Sequence, residues 1–237
     1  MSENPKSFWL TVPGILINGI VLTVIVLLES MFAPWAPYFL IYAILAIVFP
    51  LFLKTYNFGE FKNIFSKHRN EILIFLGIGF VLDFGLSFTY DTIIASFGLT
   101  GNPYYDFNAA LVLLADTAAV KFGISSMTAM LIYALYIVFW APIGEELFYR
   151  GYMYGKLKEK IGFSNALLVS TFFFGIRHAT HFFFLSPTPI IPGLWWSTHA
   201  FLYGLVMVYA YEKTESLYVP MLIHFATNFV GVIIQIL

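Results

Sequence analysis

Three clusters of polar and ionisable residues interrupt an otherwise apolar sequence. They are Glu145-Glu146-Leu147-Phe148-Tyr149-Arg150, Phe174-Gly175-Ile176-Arg177-His178 and His224-Phe225-Ala226-Thr227-Asn228. Charge inside a membrane helix is costly, so each cluster is a functional candidate. Helix positions four apart share a face, which lets Glu146 pair with Arg150 and stacks His224 on Asn228. Glu145 is rotated by about 100° from Glu146 and is left outside that pair. One carboxylate is then neutralised and held, and the other is available as a base, poised for proton transfer by partial desolvation. A Glu and a His together can deprotonate a water, while a second His and an Asn can donate to an oxyanion. That is a layout for hydrolysing an amide. The same Glu145, His178 and His224 could instead hold zinc, with water as the fourth ligand. Residue types alone do not separate metal-free from zinc catalysis.

The elements that must position these groups are membrane helices. The 237 residues are 60% hydrophobic and 11% charged, with mean hydropathy +0.83. Soluble domains carry roughly a quarter charged residues, so this composition calls for lipid as solvent. Disorder is excluded, and a net charge of -1 gives no basic field for nucleic acid. The absence of cysteine removes thiolate catalysis and thiolate metal sites. Seven spans are read: Phe8–Leu28, Pro37–Leu53, Ile72–Thr89, Ser125–Phe148, Ser164–Phe184, Leu194–Tyr211 and Leu217–Leu237. Residues 91–121 read as an outer loop with an interfacial or re-entrant helix at Ala109–Val120, or as an eighth span. Trp35, Trp195, Trp196, Tyr104 and Tyr105 fall near span ends, as in aromatic belts.

With the N-terminus in the cytoplasm, the inner segments hold Lys6, Lys54, Lys62, Lys67, Arg69, Arg150, Lys156, Lys158, Lys160 and Lys213, as the positive-inside rule requires. The expected architecture is an all-α polytopic membrane protein of seven or eight helices in a single domain, residues 1–237. Residues 1–125 supply N-terminal helices and 126–237 the three motifs. Span four descends to the cytoplasm while five and seven rise from it. At about 1.5 Å per residue, Glu145, His178 and His224 then reach a common depth of about 10–20 Å from the inner surface. The expected cavity faces the cytoplasm.

The sequence resembles the CPBP family of membrane proteases, which includes CAAX proteases and bacteriocin-processing or immunity proteins. The family's motifs EExxxR, FxxxH and HxxxN read here as Glu145-Glu146-xxx-Arg150, Phe174-xxx-His178 and His224-xxx-Asn228. Each is weak alone; all three, in order and on separate spans, are specific. The matched region is about 126–237. The resemblance implies that Glu145 and His178 activate water, that His224 and Asn228 form the oxyanion hole, and that Glu146 and Arg150 orient the site. It implies a glutamate-dependent endopeptidase without a cofactor. The substrate would be a prenylated CAAX-type or other lipidated or membrane-associated peptide, cut near its C-terminus.

Other polar residues weigh less. His181 shares a face with His178 and could line the cavity, although a local hydrogen bond explains it as well. His199 reads as structural. Tyr90-Asp91 is half of an aspartyl intramembrane protease pattern whose Gly-x-Gly-Asp partner is missing, and His-Glu-x-x-His is absent. Two rivals have a different logic. One is a membrane binding or immunity protein that holds a peptide without cutting it. The other is a transporter with a Glu/His proton relay, for which no inverted repeat is present.

Overall fold

The computed structural model describes residues 8–32, 39–56, 58, 61–183, 185–186 and 188–236. Lys6 and Trp35, like the outer ends of three expected spans (Pro37, Phe184 and Leu237), lie outside the described residues. Among the described residues eight long helices follow one another, with only short helical turns besides: α1 Val12–Phe32, α2 Phe39–Leu53, α3 Arg69–Ser96, α4 Phe107–Phe122, α5 126–154, α6 Gly155–Ala179, α7 Ile190–Thr214 and α8 Tyr218–Ile236. Among the described residues there is no strand. The fold is the all-α polytopic membrane architecture read from composition. Three helical segments among the described residues, Val12–Ser30, Arg69–Ser96 and Ser126–Phe182, are long and apolar enough to cross a bilayer. Val81, Phe88 and Val120 are among the many apolar side chains exposed on the outside. Glu145, Glu146, Arg150, Arg177, His178 and His224 are buried inside. The protein is thus polar at its centre and apolar at its surface, as suits an integral membrane protein.

Helix α5 is not a uniform α-helix. It passes through wide π turns at Tyr136–Trp140 and Glu146–Tyr154, separated by the α-helical Ala141–Glu145. Pro142 has no N–H to donate to the preceding turn, and the N–H of Ala141 reaches back five residues to the carbonyl of Tyr136. The second π stretch buries all nine of its residues, including Glu146 and Arg150. α5 runs directly into α6. The chain turns back at Gly162, whose φ of 79° and ψ of 170° break the helix in a conformation favoured by glycine. Gly175 lets α6 and α7 approach closely: a Cβ there would sit 2.9 Å from the Ser197 carbonyl oxygen and 3.0 Å from the Phe201 Cβ.

The helix directions define two ends of the bundle. At one, Lys158 of α6 pairs with Glu212 of α7. Ser216 donates to the carbonyl of Phe58, and Phe61 packs on Tyr218. At the other end, Tyr90 of α3 stacks on Trp195 of α7 at 4.6 Å, and Phe107 of α4 packs on Phe182 and Trp196. α3 ends and α5 begins at this second end, so α4 stays there, in keeping with an interfacial or re-entrant helix. Asp106 caps α4 by accepting from the N–H groups of Asn108 and Ala109, and Gly123 closes it in the left-handed conformation. The third span is longer than expected, because Tyr90-Asp91 continues α3 instead of beginning a loop. Trp195 and Trp196 face inward onto histidines instead of marking a membrane interface.

Candidate active site

The three motifs meet. Helix α5 supplies Glu145 and Glu146, α6 supplies Arg177 and His178, and α8 supplies His224 and Asn228. The expected Glu146–Arg150 pair forms, with Arg150 Nη1 donating to Glu146 Oε1 at 3.1 Å. Arg150 also donates to the Gly204 carbonyl at 3.3 Å, and its guanidinium lies 4.3 Å from the centre of the Phe174 ring. Phe174, the first residue of the second motif, therefore packs between α5 and α6 as a support. Glu146 is shared: the Nδ1 of His224 donates to the same Oε1 at 2.8 Å. With Nδ1 so engaged, His224 turns Nε2 towards Glu145, 3.9 Å from Oε2. Glu146 thus orients a histidine as well as an arginine.

Glu145 is not free, contrary to the sequence reading. Arg177 Nη2 donates to its Oε1 at 2.5 Å in a fully buried ion pair. The same Nη2 donates to His178 Nε2 at 2.8 Å, and Nη1 faces His181 Nε2 at 3.3 Å. His178 is fixed from its other side by Nδ1, which donates to the Phe174 carbonyl at 2.7 Å. Glu145 and His178 are therefore joined through one guanidinium nitrogen, and the imidazole nearest to Glu145 Oε2 is that of His224. That oxygen is buried without a hydrogen-bond partner. At 3.9 Å apart, Glu145 Oε2 and His224 Nε2 are close enough to share one water at about 2.8 Å from each. Asn228 Nδ2 donates to the Ile137 carbonyl at 2.7 Å, leaving its second amide hydrogen for a ligand.

Glu145, Arg177, His178, His181, His224 and Asn228 line a cavity of about 530 Å³. Glu146 and Arg150 lie beneath it. Glu145 is 2% exposed at the floor, whereas Asp91, Asn108 and Val112 are exposed at the rim. The rim comes from the C-terminal part of α3 and the N-terminal turns of α4, at the second end of the bundle. The sequence reading had the cavity open towards the lysine-rich end. The depth argument concerned the helices alone and could not show on which side they part. A second polar pair lies in the wall, where His199 Nε2 is 2.9 Å from Asp83 Oδ1. Sequence reasoning gave Arg177 no role, and it read His199 as structural without pairing it to Asp83. The usable signal was Arg177 itself, since an arginine within an apolar span demands an acidic partner.

The zinc alternative does not fit this donor set. A guanidinium nitrogen occupies the position between Glu145 Oε1 and His178 Nε2. Among the described residues no three His, Cys, Asp or Glu side chains are grouped to hold a metal ion.

Residues 127–230 match the family described as Type II CAAX prenyl endopeptidase Rce1-like. The chain is 29% identical over 124 residues to the candidate membrane peptidase YdiL of Bacillus subtilis (strain 168), an alignment covering 51% of this chain and 43% of that protein. The chain thus spans less than half the length of this relative. No solved structure matches significantly. The match encloses all three motifs and so agrees with the resemblance they carry.

Proposed function

We propose that this chain, with its Rce1-like domain over residues 127–230, is an intramembrane endopeptidase whose general base is Glu145. The observation that carries the reading is the unpartnered Glu145 Oε2, buried at the floor of a polar cavity 3.9 Å from His224 Nε2. A water held there loses a proton to Glu145 as its oxygen attacks the scissile carbonyl. The proton then passes to the departing amine, and no covalent intermediate forms. Arg177 holds the base through Oε1, and His178, with its two ring nitrogens engaged by Arg177 and the Phe174 carbonyl, positions that guanidinium instead of binding the water. His224, when Nε2 carries a hydrogen, and the free amide hydrogen of Asn228 are the donors to the developing oxyanion. Glu146 and Arg150 hold His224 and Phe174 in place beneath them.

The substrate we propose is an apolar, membrane-associated peptide cut within or near the bilayer, either of the prenylated CAAX type or without a prenyl group. The aromatic lining supports an apolar substrate: Phe84, Phe107, Trp195 and Trp196 face the cavity. The experiment is cleavage of a farnesylated CAAX peptide and of a non-prenylated apolar peptide by purified protein, wild type beside Glu145→Gln. Wild-type cleavage of either peptide, lost in a folded Glu145→Gln variant, supports the reading. Turnover by Glu145→Gln at the wild-type rate refutes it.

A further inference from the structure

The distribution of charge and the position of the cavity make a pair of facts that the motifs do not contain. Eight basic residues, Lys54, Lys62, Lys67, Arg69, Lys156, Lys158, Lys160 and Lys213, lie in the loops and helix ends of one end of the bundle. The contacts Lys158–Glu212, Ser216–Phe58 and Phe61–Tyr218 draw those loops together. Of the remaining described basic residues, Arg150 is buried in the core and Arg177 in the cavity. Lys121, at the C-terminus of α4, is left alone at the opposite end. Short loops rich in Lys and Arg are retained in the cytoplasm, and an eight-to-one asymmetry fixes orientation strongly.

The cavity belongs to the other end. From Glu145 its lining climbs α5 away from the lysines through Ala141, Ile137, Tyr133 and Met130. It climbs α8 in the same direction, through Asn228 and Gly231 to Ile234. It reaches the exposed Asp91 and Asn108, at the end held by the Tyr90–Trp195 stack. The lining includes none of the eight basic residues. Arg177, the one cation in the lining, is engaged by Glu145, His178 and His181, while Asp83 and Asp91 face the same space. The entrance is aromatic, with the Asp91 carboxylate exposed at its edge.

We propose that the cavity opens on the extracytoplasmic side of the membrane, and that its substrate is an exported, apolar peptide without acidic residues where it meets the rim. The orientation stands on charge and geometry alone; the substrate half rests on the peptidase reading above. It reverses the side from which the sequence reading would have the substrate enter. It also separates this chain's substrate from prenylated proteins, whose lipidated C-termini lie in the cytoplasm.

The chain has no cysteine, so single introduced thiols report without background. Thr100→Cys lies in the exposed turn between α3 and α4, Asn108→Cys at the rim, and Lys160→Cys at the lysine-rich end. Each is expressed in bacterial cells with the wild-type chain as blank. Labelling by a membrane-impermeant maleimide is then compared in intact and permeabilised cells. The expected ratio of intact to permeabilised labelling is close to one for Thr100→Cys and Asn108→Cys, and below about one-tenth for Lys160→Cys. Labelling of Lys160→Cys in intact cells as readily as Thr100→Cys overturns the orientation. So does a Thr100→Cys that labels only after permeabilisation. In parallel, right-side-out vesicles should cleave an added apolar peptide and lose at least tenfold in rate when two glutamates flank the scissile bond. Cleavage confined to inside-out vesicles overturns the proposal. Expected labelling with no cleavage in either orientation keeps the orientation and refutes the peptidase reading beneath the substrate half.

Discussion

Arg177→Met tests whether the buried Glu145–Arg177 pair is a working part of the site. The two side chains are 2% and 3% exposed and separated by 2.5 Å. At an effective dielectric near 20, unit charges at that separation attract by about 6–7 kcal/mol, of which desolvation of both ions offsets most. The net worth of the pair is therefore small, but removing one partner is not neutral, because the other charge stays buried. Arg177→Met is expected to cost about 3–5 kcal/mol of stability. It also loses the bonds to His178 and His181 and the cation–π contact with Tyr42, at 4.8 Å. Adding Glu145→Gln to Arg177→Met replaces the stranded charge by a neutral amide and should recover about 2–3 kcal/mol. Glu145→Gln alone should cost about 1–3 kcal/mol, since Arg177 keeps its two imidazole partners. The assay is an unfolding titration in mixed micelles on wild type, the two single variants and the double variant. Additivity of the two substitutions to within about 0.5 kcal/mol would refute the coupling, and with it the claim that Arg177 holds the base. Arg177→Lys separates charge from shape: it keeps the cation and loses the fork, so it should retain more stability than Arg177→Met while turnover still falls.

Other expectations follow from single contacts. Asn228→Ala and His224→Ala should each lower turnover by about 10²–10³ with the fold kept, measured as kcat on whichever peptide the wild type cleaves. Arg150→Ala strands Glu146, leaves the Gly204 carbonyl unbonded and uncovers Phe174, so it should cost about 3–5 kcal/mol, and recovery of no folded protein is the extreme form of that result. Gly175→Val should splay α6 from α7 and shift the unfolding midpoint down, because even a Cβ meets backbone at 2.9 Å; an unchanged midpoint would refute the tight crossing. At the lysine-rich end, burial raises the Glu212 carboxyl, but bonds from Lys158 and Tyr154 and the nearby Lys213 charge more than reverse this and hold it below its ordinary value. A group with a depressed folded value stabilises above its unfolded value, and that contribution fades as pH falls through the folded one. The difference in unfolding midpoint between wild type and Glu212→Gln should therefore shrink on acidification, and a difference that grows would reverse the sign.

What the sequence could show followed the range of each interaction. The Glu146–Arg150 pair was legible because four residues on a helix place two side chains on one face, and it survives even on the widened π turn. The meeting of Glu145, His178 and His224 was legible from three motifs and the alternation of helix direction. The partner of Glu145 was not, because Arg177 reaches it across 32 positions of sequence, and a span-by-span reading treats that arginine as one more buried charge. Pro142 went unread as a mark of a disturbed helix, and how the following turns widen depends on packing against α2 and α6. Depth was legible too, since counting 1.5 Å rises locates Glu145 near one end. The side on which the cavity opens was not, because it depends on where α3, α4 and α8 diverge, and no residue count contains that. Charge distribution decides which end of the bundle is lysine-rich, and packing decides which end is hollow. These are independent properties of the chain, and here they fall at opposite ends. A motif that keeps its chemistry therefore need not keep its direction of access.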